Sequence, residues 1–345
     1  MNTKPYDFLV FIGRFQPFHA GHLAVIEAGL EKASQLIVLC GSAHQPRTTR
    51  NPWSVAERET MIRGALSDRD NERVHVVPLM DVVYNDELWV RNVQATVGGL
   101  VTAHYGKPHL PPKVGLIGHA KDHSSFYLNL FPQWGSETVP NREDISATPL
   151  REAYFDEGVI FDSAHLPANV NTWLAAFRET PDFNEVKSEH EFVRKYRQAW
   201  QHAPYPPTFV TVDAVVVQSG HVLMVERKAR PGKGLLALPG GFVDGNEKLV
   251  DACLRELREE TRLKVPSPVL KGSIRSQQVF DDPYRSARGR TITHAFHIEL
   301  APNSVLPKVK GGDDAKNAFW MPLADLNPTQ IFEDHYFIIQ EMMGG

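Results

Sequence analysis

The strongest constraint on the fold of this chain is a regular alternation of short apolar runs with longer amphipathic segments in its first third. The apolar runs have the length of strands, and the segments between them repeat with a helical period. Apolar strands that alternate with helices indicate a parallel sheet covered by helices on both faces, and hence an α/β fold. The predicted strands are Tyr6–Ile12, Leu36–Gly41, Val74–Leu79 and Val114–Gly118, and the predicted helices are Ala20–Ala33, Ser54–Leu66 and Asp86–Leu100.

The pattern changes after a proline-rich stretch, Ala-Pro-Tyr-Pro-Pro, at residues 203–207. Residues 168–202 have a helical pattern that Pro181 must interrupt. Beyond residue 207 the pattern is mixed α+β, with a predicted hairpin of Phe209–Val217 and Val222–Glu226, a helix over Glu247–Thr261, and strands at Thr291–Leu300 and Ala318–Met321. Because 345 residues are many for one core, we predict domains at 1–185 and 207–345, joined by a helical and proline-rich linker at 186–206.

Composition excludes several classes of protein. The formal net charge of -4 gives no electrostatic reason to expect a nucleic-acid partner. The longest apolar runs are far shorter than a membrane span, and the start of the chain lacks the pattern of a signal peptide. The two cysteines, Cys40 and Cys253, lie in apolar patterns typical of core residues. We therefore expect a cytoplasmic protein without a membrane partner.

The first candidate site is the segment GRFQPFHAGH, which runs from Gly13 to His22 between the first predicted strand and helix. His19 and His22 are three residues apart and share one face of the first turn, at the positive end of the helix dipole. Free backbone N–H groups there bind anions, and Gly13 and Gly21 would let the backbone approach a ligand. Fixed donors suit nucleotidyl transfer, in which charge builds up on the α-phosphate.

The alternative is that the two histidines only cap the helix or pack against it. An isolated H-x-x-H pair would favour that alternative, whereas the whole strand–loop–helix context favours a site. With a second segment, ISATPLR at residues 145–151, the pattern resembles the two signatures of the HxGH nucleotidyltransferase superfamily. The resemblance implies a Rossmann-like fold in which Thr148 and Arg151, on the helix opened by the second segment, hold the ATP triphosphate. Taken alone, Arg151 would be a solvated arginine at a helix start.

Three further segments, at residues 47–53, 84–89 and 118–125, resemble the nicotinamide-mononucleotide (NMN) adenylyltransferase branch of that superfamily. By this resemblance Trp89 stacks on the pyridine ring, a cation–π contact worth ~0.5–2 kcal/mol. The alternative is that Trp89 is a packing residue, since tryptophans are largely buried. Arg14 and Arg47 become candidates for phosphate binding. The other residues that the resemblance places in the nucleotide site are Phe15, Gln16, Gly118, Lys121 and Asp122.

The second candidate site is the carboxylate-rich helix predicted over residues 247–261. Glu256, Glu259 and Glu260 share one face of this helix, and Leu249, Cys253 and Leu257 form a separate apolar stripe. Like charges at these spacings destabilise a helix by ~0.2–0.5 kcal/mol per pair, and a divalent cation would remove the repulsion. Carboxylate oxygens suit Mg²⁺, which polarises a pyrophosphate and activates water. The alternative is a solvated acidic helix neutralised by neighbouring arginines.

The segment from Gly241 to Glu260 matches the pattern G-x5-E-x7-R-E-U-x-E-E, which resembles the Nudix hydrolase signature. The resemblance assigns catalysis to Arg255 and to Glu256, Glu259 and Glu260, which are also the metal ligands. One position departs from the family, because Arg262 stands where the family has a glycine. A glycine would end the helix in a left-handed conformation, which costs other residues about 1 kcal/mol. We therefore predict an active site with a slightly different helix exit.

Residues 280–290 and 312–315 resemble the ADP-ribose pyrophosphatase group of Nudix enzymes. The resemblance implies that Arg285, Arg288 and Arg290 grip phosphates, and that Asp313 or Asp314 supplies a base or a further metal contact. As residues of a surface loop they would otherwise be unremarkable.

The two resemblances imply a bifunctional enzyme of NAD metabolism with small-molecule partners. The N-terminal domain would convert NMN and ATP, its co-substrate, to NAD and pyrophosphate. The C-terminal domain would hydrolyse ADP-ribose to AMP and ribose 5-phosphate with Mg²⁺. Alternatives stay open at both sites: the acceptor could be nicotinate mononucleotide, and the Nudix domain could hydrolyse another nucleoside diphosphate derivative or only sense ADP-ribose. The sequence is compatible with a homo-oligomer and does not determine the oligomeric state.

Overall fold

The computed structural model describes residues 4–106, 111–119, 130–140, 145–156 and 164–344. The chain separates into two compact units, Met1–Lys187 and Ser188–Gly345. One helix, Pro181–Ala199, begins in the first unit and ends in the second, so residues 188–199 of the predicted linker are helical. Pro181 stands at the start of that helix, where a proline lacks only a hydrogen bond that the first turn would not make. Within the described residues, no helix is long and apolar enough to cross a membrane.

The first unit, unit 1, contains a parallel five-stranded sheet of order β3-β2-β1-β4-β5 in the described part of the chain. Its strands are β1 (Tyr6–Gly13), β2 (Ala33–Cys40), β3 (Val74–Pro78), β4 (Val114–His119) and β5 (Gly135–Val139). Its helices are α1 (Ala20–Lys32), α2 (Val55–Gly64), α3 (Asp68–Asn71), α4 (Asp86–Tyr105), α5 (Ala147–Asp156), α6 (Ala168–Phe177) and the first part of α7 (Pro181–Ala199). The predicted Rossmann-like α/β architecture is confirmed.

The sheet of unit 1 is covered on both faces, as the apolar strands predicted. One core contains Val25 and Ile26 of α1, and the other contains Val93 and Val97 of α4. The strand order places β1 and β4 side by side at the centre, although two strands separate them in sequence. The chain therefore leaves β1 and β4 in opposite directions, which opens a crevice at their carboxyl ends where α/β folds bind ligands.

The second unit, unit 2, contains a mixed sheet of order β10-β11-β6-β7-β12, with β8 paired to β7 and β9 to β6. Only the β6–β11 pair is parallel among these. Its strands are β6 (Thr208–Gln218), β7 (His221–Arg227), β8 (Leu236–Ala237), β9 (Gly240–Phe242), β10 (Ile274–Phe280), β11 (Arg290–Glu299) and β12 (Ala315–Pro322). Its helices are α8 (Leu249–Thr261), α9 (Ser267–Gly272), α10 (His335–Met342) and the end of α7. The predicted α+β architecture of this unit is confirmed.

Helix α8 places the candidate carboxylates of unit 2. Cys253 and Leu257 are buried in a core with residues of β6 and β11, and Leu249 packs against the same cluster. This confirms the predicted apolar stripe and directs the glutamates toward another face. Burial of a leucine side chain contributes ~1.5–3 kcal/mol, so the stripe fixes the rotation of the helix about its axis.

Candidate active sites

The two signature histidines of unit 1 cap each other at the start of α1. Nδ1 of His19 accepts a hydrogen bond from the backbone N–H of His22, and Nδ1 of His22 accepts one from the backbone N–H of His19, both at 3.3 Å. Their rings stack with centroids 3.5 Å apart. An Nδ1 that accepts carries no proton, so each neutral ring bears its proton on Nε2. The first turn thus holds two Nε2–H donors in a fixed tautomer.

The two glycines of the first signature make room for aromatic rings of the protein itself, and their predicted role in the approach of a ligand stays a prediction. A Cβ on Gly13 would lie 2.8 Å from the ring of Phe15. A Cβ on Gly21 would lie 3.1 Å from the ring of His19. Phe15 is buried and has a left-handed backbone with φ 54°. The glycines therefore let the aromatic rings of the loop fold back onto the strand and the helix.

The second signature fastens the first. The side-chain Nη1 of Arg151 donates to the carbonyl of Gln16 at 2.8 Å, and its Nε donates to the carbonyl of Thr49 at 3.0 Å. Its Nη2 lies 3.5 Å from Oγ1 of Thr148, which is exposed on the first turn of α5. Burial lowers the pKa of Arg151 to about 10. The guanidinium expected to hold a triphosphate is thus buried and bonded to the loop it supports.

The side chain of Gln16, like that of Arg151, is buried and hydrogen-bonded to the protein backbone. Its side-chain Nε2 donates to the carbonyl of Trp53 at 2.8 Å, and the backbone N–H of Trp53 donates to its Oε1 at 3.1 Å. Both residues are buried. These two hydrogen bonds join the HxGH loop to the segment that precedes α2. Both ends of the Gln16 side-chain amide are therefore used in holding the loop.

Within unit 1, Arg47 is held by ion pairs and Trp89 by packing against another aromatic ring. The guanidinium of Arg47 forms ion pairs with Glu57 at 2.5 Å and Asp182 at 2.8 Å, so a phosphate would have to compete with two carboxylates. Trp89 is half-buried on α4, with its ring 6.1 Å from that of Phe131. The other predicted nucleotide-site residues are Arg14, half-buried in the HxGH loop, Gly118, buried at the end of β4, and Lys121 and Asp122, which lie outside the described residues.

Arg58 and His119 also support the loops of this site, and neither was among the predicted site residues, although His119 lies in the segment of residues 118–125 that resembles the adenylyltransferases. Arg58, 1% exposed, donates to the carbonyls of Arg14 at 2.7 Å and Gly41 at 2.6 Å. The ring nitrogens of His119 lie 3.2 Å from the carbonyl oxygens of Gly21 and Val139. Arg58 thus ties the carboxyl ends of β1 and β2 to α2, and His119 ties those of β4 and β5 to the start of α1. Sequence spacing cannot distinguish them from a surface arginine and a strand histidine.

In unit 2, Arg255 lies among the predicted metal ligands. Its guanidinium bonds Glu247 at 2.6 Å, Glu256 at 2.8 Å and Glu259 at 3.0 Å. The hydrogen bonds with Glu247 are the main reason that the pKa of Arg255 is raised above its ordinary value. The spacing of Glu247 and Arg255 in the pattern thus has a local explanation, because the two side chains anchor the loop before α8 to the helix.

Two glycines of β9 are in close contact with the carboxylates of α8. A Cβ on Gly241 would lie 2.6 Å from the carboxylate of Glu256. The backbone N–H of Gly240 donates to Oε2 of Glu260 at 3.0 Å. The pKa of Glu260 is raised to about 8, mainly by burial and in part by the charge of Glu256. Burial also raises the pKa of Glu256, with the charges of Glu259 and Asp313 adding to it.

This donor set fits a divalent cation. A cation between these carboxylates relieves their mutual repulsion, and their hard oxygens suit Mg²⁺ or Mn²⁺. Among the described residues, no three carboxylate, imidazole or thiolate side chains converge closely enough to enclose a metal. Arg255 is the side chain that separates Glu256 from Glu259. Metal binding at these residues would therefore require the guanidinium to give up part of its contacts.

The end of α8 corrects the prediction for Arg262. This residue takes the left-handed conformation itself, with φ 54° and ψ 23°, so the helix exit is the one expected of a glycine. The backbone N–H groups of Lys310 and Gly312 donate to the carbonyls of Thr261 at 2.9 Å and Glu260 at 3.1 Å. The loop of residues 310–315 thus satisfies the last carbonyls of the helix.

Arg285 is a core residue, contrary to its predicted contact with phosphate. Its side chain is 3% exposed and donates two hydrogen bonds to the carboxylate of Asp334, at 2.8 and 2.9 Å. Asp213 lies 3.9 Å from the same guanidinium and 3.9 Å from the ring of His335. Burial lowers the pKa of His335 to about 3, and its Nδ1 accepts from the backbone N–H of Leu238. This buried cluster supports the segment that leads into β9.

The remaining predicted residues of unit 2 are nearer the surface. Arg288 lies over the ring of Phe242, with its Cζ 5.1 Å from the centroid, and Arg290 bonds the carbonyl of Asp281. Asp313 and Asp314 are exposed in the loop that follows Gly312. Of the three arginines, only Arg288 and Arg290 have exposure that is compatible with a ligand.

Comparison with known proteins agrees with the two predicted kinds of domain. A cytidylyltransferase-like family model matches residues 10–153, and a NUDIX domain model matches residues 207–342. The nicotinamide/nicotinic acid mononucleotide adenylyltransferase of Acinetobacter baylyi is 40% identical over 186 residues, covering 54% of this chain and 94% of that protein. The ADP-ribose pyrophosphatase of Methanocaldococcus jannaschii is 35% identical over 149 residues, 43% of this chain and 81% of that protein.

A solved structure is similar over the whole chain. It is a bifunctional NMN adenylyltransferase/ADP-ribose pyrophosphatase from Francisella tularensis, complexed with AMP and a manganese ion. The two chains share 35% identity with a TM-score of 0.89, and the similarity covers 98% of this chain and 99% of that one. The chain therefore belongs to the family of bifunctional proteins that combine an HxGH adenylyltransferase with a Nudix pyrophosphatase.

Proposed function

We propose that unit 1 joins NMN and ATP to form NAD and pyrophosphate, and that unit 2 hydrolyses ADP-ribose to AMP and ribose 5-phosphate. The observation that carries the first assignment is the pair of mutually capped histidines at the switch point of the sheet. The observation that carries the second is the carboxylate face of α8 beneath the two glycines of β9. Both agree with the names of the relatives.

In unit 1 the phosphate oxygen of NMN attacks the α-phosphate of ATP, and pyrophosphate leaves. The Nε2–H groups of His19 and His22 donate to the oxygens that gain charge at this phosphorus, together with the backbone N–H groups at the start of α1. The histidines need not move a proton, because their tautomer already presents a donor. Trp89 offers an indole face for the pyridine ring on the α4 side of the sheet.

In unit 2, side chains of α8 and of the neighbouring loops bind the pyrophosphate of ADP-ribose and the attacking water molecule. Glu256, Glu259 and Glu260 would hold a divalent cation, which we propose is Mg²⁺ and which would supply the positive charge that polarises the P–O bond. Arg255 keeps the loop before α8 in place through Glu247. Arg288 is the arginine best placed to bind a phosphate, and Asp313 is a candidate base for the attacking water.

Product analysis of the purified chain tests both assignments. Incubation with NMN, ATP and Mg²⁺ should yield NAD, and incubation with ADP-ribose and Mg²⁺ should yield AMP. Replacing His19 should abolish only the first product, and replacing Glu259 should abolish only the second. Loss of both products in either variant would contradict two independent sites.

Nicotinate mononucleotide is a second candidate acceptor for unit 1. The Acinetobacter baylyi relative is named for both mononucleotides. Competition between the two acceptors at equal concentration, read out as the ratio of NAD to its nicotinate analogue, decides between them. A ratio near one would mean that unit 1 accepts both.

A further inference from the structure

The loop that carries Asp313 is fastened to the end of α8. Backbone N–H groups of the loop donate to the carbonyls of Glu260 and Thr261, at 3.1 and 2.9 Å. The carbonyl of Gly312 in turn accepts from the N–H of Ala315 at 2.8 Å, which closes the loop into a tight turn. The metal-ligand helix and the acidic loop are therefore joined through backbone groups at one place.

Arg262 covers this junction. A Cβ on Gly312 would lie 2.6 Å from Nε of Arg262 and 2.6 Å from the carbonyl oxygen of Glu259, so Gly312 is pressed between the side chain and the helix end. Asp313 follows directly with a left-handed φ of 46°. It lies one residue beyond the hydrogen bond that joins Gly312 to the carbonyl of Glu260, a predicted metal ligand. The side chain of Arg262 thus lies against the residue that aims Asp313.

The choice of arginine is costly for folding. A residue with a Cβ is strained at the left-handed position where Arg262 stands, whereas glycine is not. Folding alone would favour glycine, which the Nudix pattern has at this position. Compared with a glycine, Arg262 adds the contact between its side chain and Gly312.

We propose that Arg262 is a positioning residue that latches the 310–315 loop onto α8 and so holds Asp313 in the hydrolytic site. This inference rests on the proposed hydrolysis of ADP-ribose and on the role of Asp313 in it. Arg262 acts through Gly312 and does not touch the substrate.

The test compares Arg262→Gly, Arg262→Ala and Arg262→Lys in the full-length chain. Glycine and alanine both remove the guanidinium, but only glycine relieves the backbone strain. We expect kcat for ADP-ribose hydrolysis to fall about tenfold or more in both variants while KM changes little. The thermal midpoint should be higher for glycine than for alanine. Lysine, which keeps the aliphatic stem, should restore most of kcat.

A double-variant cycle with Asp313→Asn shows whether Arg262 acts through this carboxylate. In the Asp313→Asn background, Arg262→Gly should cause no further loss of kcat. Losses that multiply would overturn the proposal, because a general structural role would act independently of Asp313.

Amide hydrogen exchange of the loop separates failure of this inference from failure of the proposed function. In Arg262→Gly, exchange at Gly312 should become faster while exchange in the middle of α8 is unchanged. Unchanged exchange at Gly312 would overturn the latch whatever the substrate is. If the wild-type chain left ADP-ribose intact, the proposed function would fail, and the exchange experiment would still decide whether the latch exists.

Discussion

Replacing Arg285 with methionine decides whether this residue binds phosphate or holds the core of unit 2. The guanidinium makes two hydrogen bonds with Asp334 and is 3% exposed. Removing one partner of a buried ion pair costs roughly 3–5 kcal/mol, because the other charge stays buried without compensation. In a unit of this size, that loss should lower the thermal midpoint by roughly 10 °C.

Thermal inactivation of ADP-ribose hydrolysis is the assay, with NAD synthesis by the same chain as the internal control. The midpoint for hydrolysis should fall, and the midpoint for NAD synthesis should stay within a degree or two. The double variant Arg285→Met/Asp334→Leu should recover only part of the stability. An apolar pair of similar volume often replaces a buried ion pair without loss, but the buried Asp213, 3.9 Å from the guanidinium, loses that partner in the double variant too. At low temperature, where the single variant is folded, KM for ADP-ribose should be near that of the wild type.

The opposite outcome would refute the structural reasoning. If Arg285→Met kept the wild-type midpoint and raised KM for ADP-ribose tenfold or more, Arg285 would contact the pyrophosphate, as its position in the loop had suggested. A tenfold change corresponds to about 1.4 kcal/mol of binding free energy, typical of a single charged hydrogen bond.

Three further predictions follow from unit 1 and the cysteines. His19→Asn should keep the helix cap and the thermal midpoint but abolish NAD synthesis, and retained synthesis would rule out the proposed donor role. Arg58→Met should leave two carbonyls without their hydrogen-bond donor, at a cost of ~1–3 kcal/mol for each buried carbonyl. The rate of NAD synthesis and the thermal midpoint of that activity should fall, while hydrolysis is unaffected. Cys40, whose pKa burial raises to about 12, and Cys253 should react with a thiol reagent only after unfolding, so rapid labelling of the folded chain would contradict their burial.

The alternation of strands and helices was predictable because the central strands are buried on both faces and therefore uniformly apolar. β5 was not, since its sequence GSETV has no apolar run, and among the described residues it pairs with a strand on one side only. β9 has only three residues, too few for any period. The hydrophobic pattern therefore predicts strands that are buried in the core, and it misses strands that are defined only by hydrogen bonds to a neighbouring strand.

The chemical type of the site residues was predictable, and the direction of their side chains was not. Arg151 bonds a carbonyl 135 residues earlier in the chain, and Arg285 bonds a carboxylate 49 residues later. Whether an arginine faces a ligand or the core depends on partners at such distances, which local spacing does not encode. The buried Asp213 did leave a signal, as a single acidic residue inside the apolar run of β6.

The mutual caps of His19 and His22 separate what the fold requires from what the reaction requires. A helix start needs only a short side chain with an acceptor, and serine, asparagine or aspartate serves better than histidine. A smaller residue could therefore keep the cap in place of His19, whereas loss of His22 would also remove its ring contacts with Phe15 and Phe18. Under the proposed donor role, a chain with only a cap at residue 19 would keep its fold and make no NAD, so residue 19 would mark an inactive relative better than its stability does.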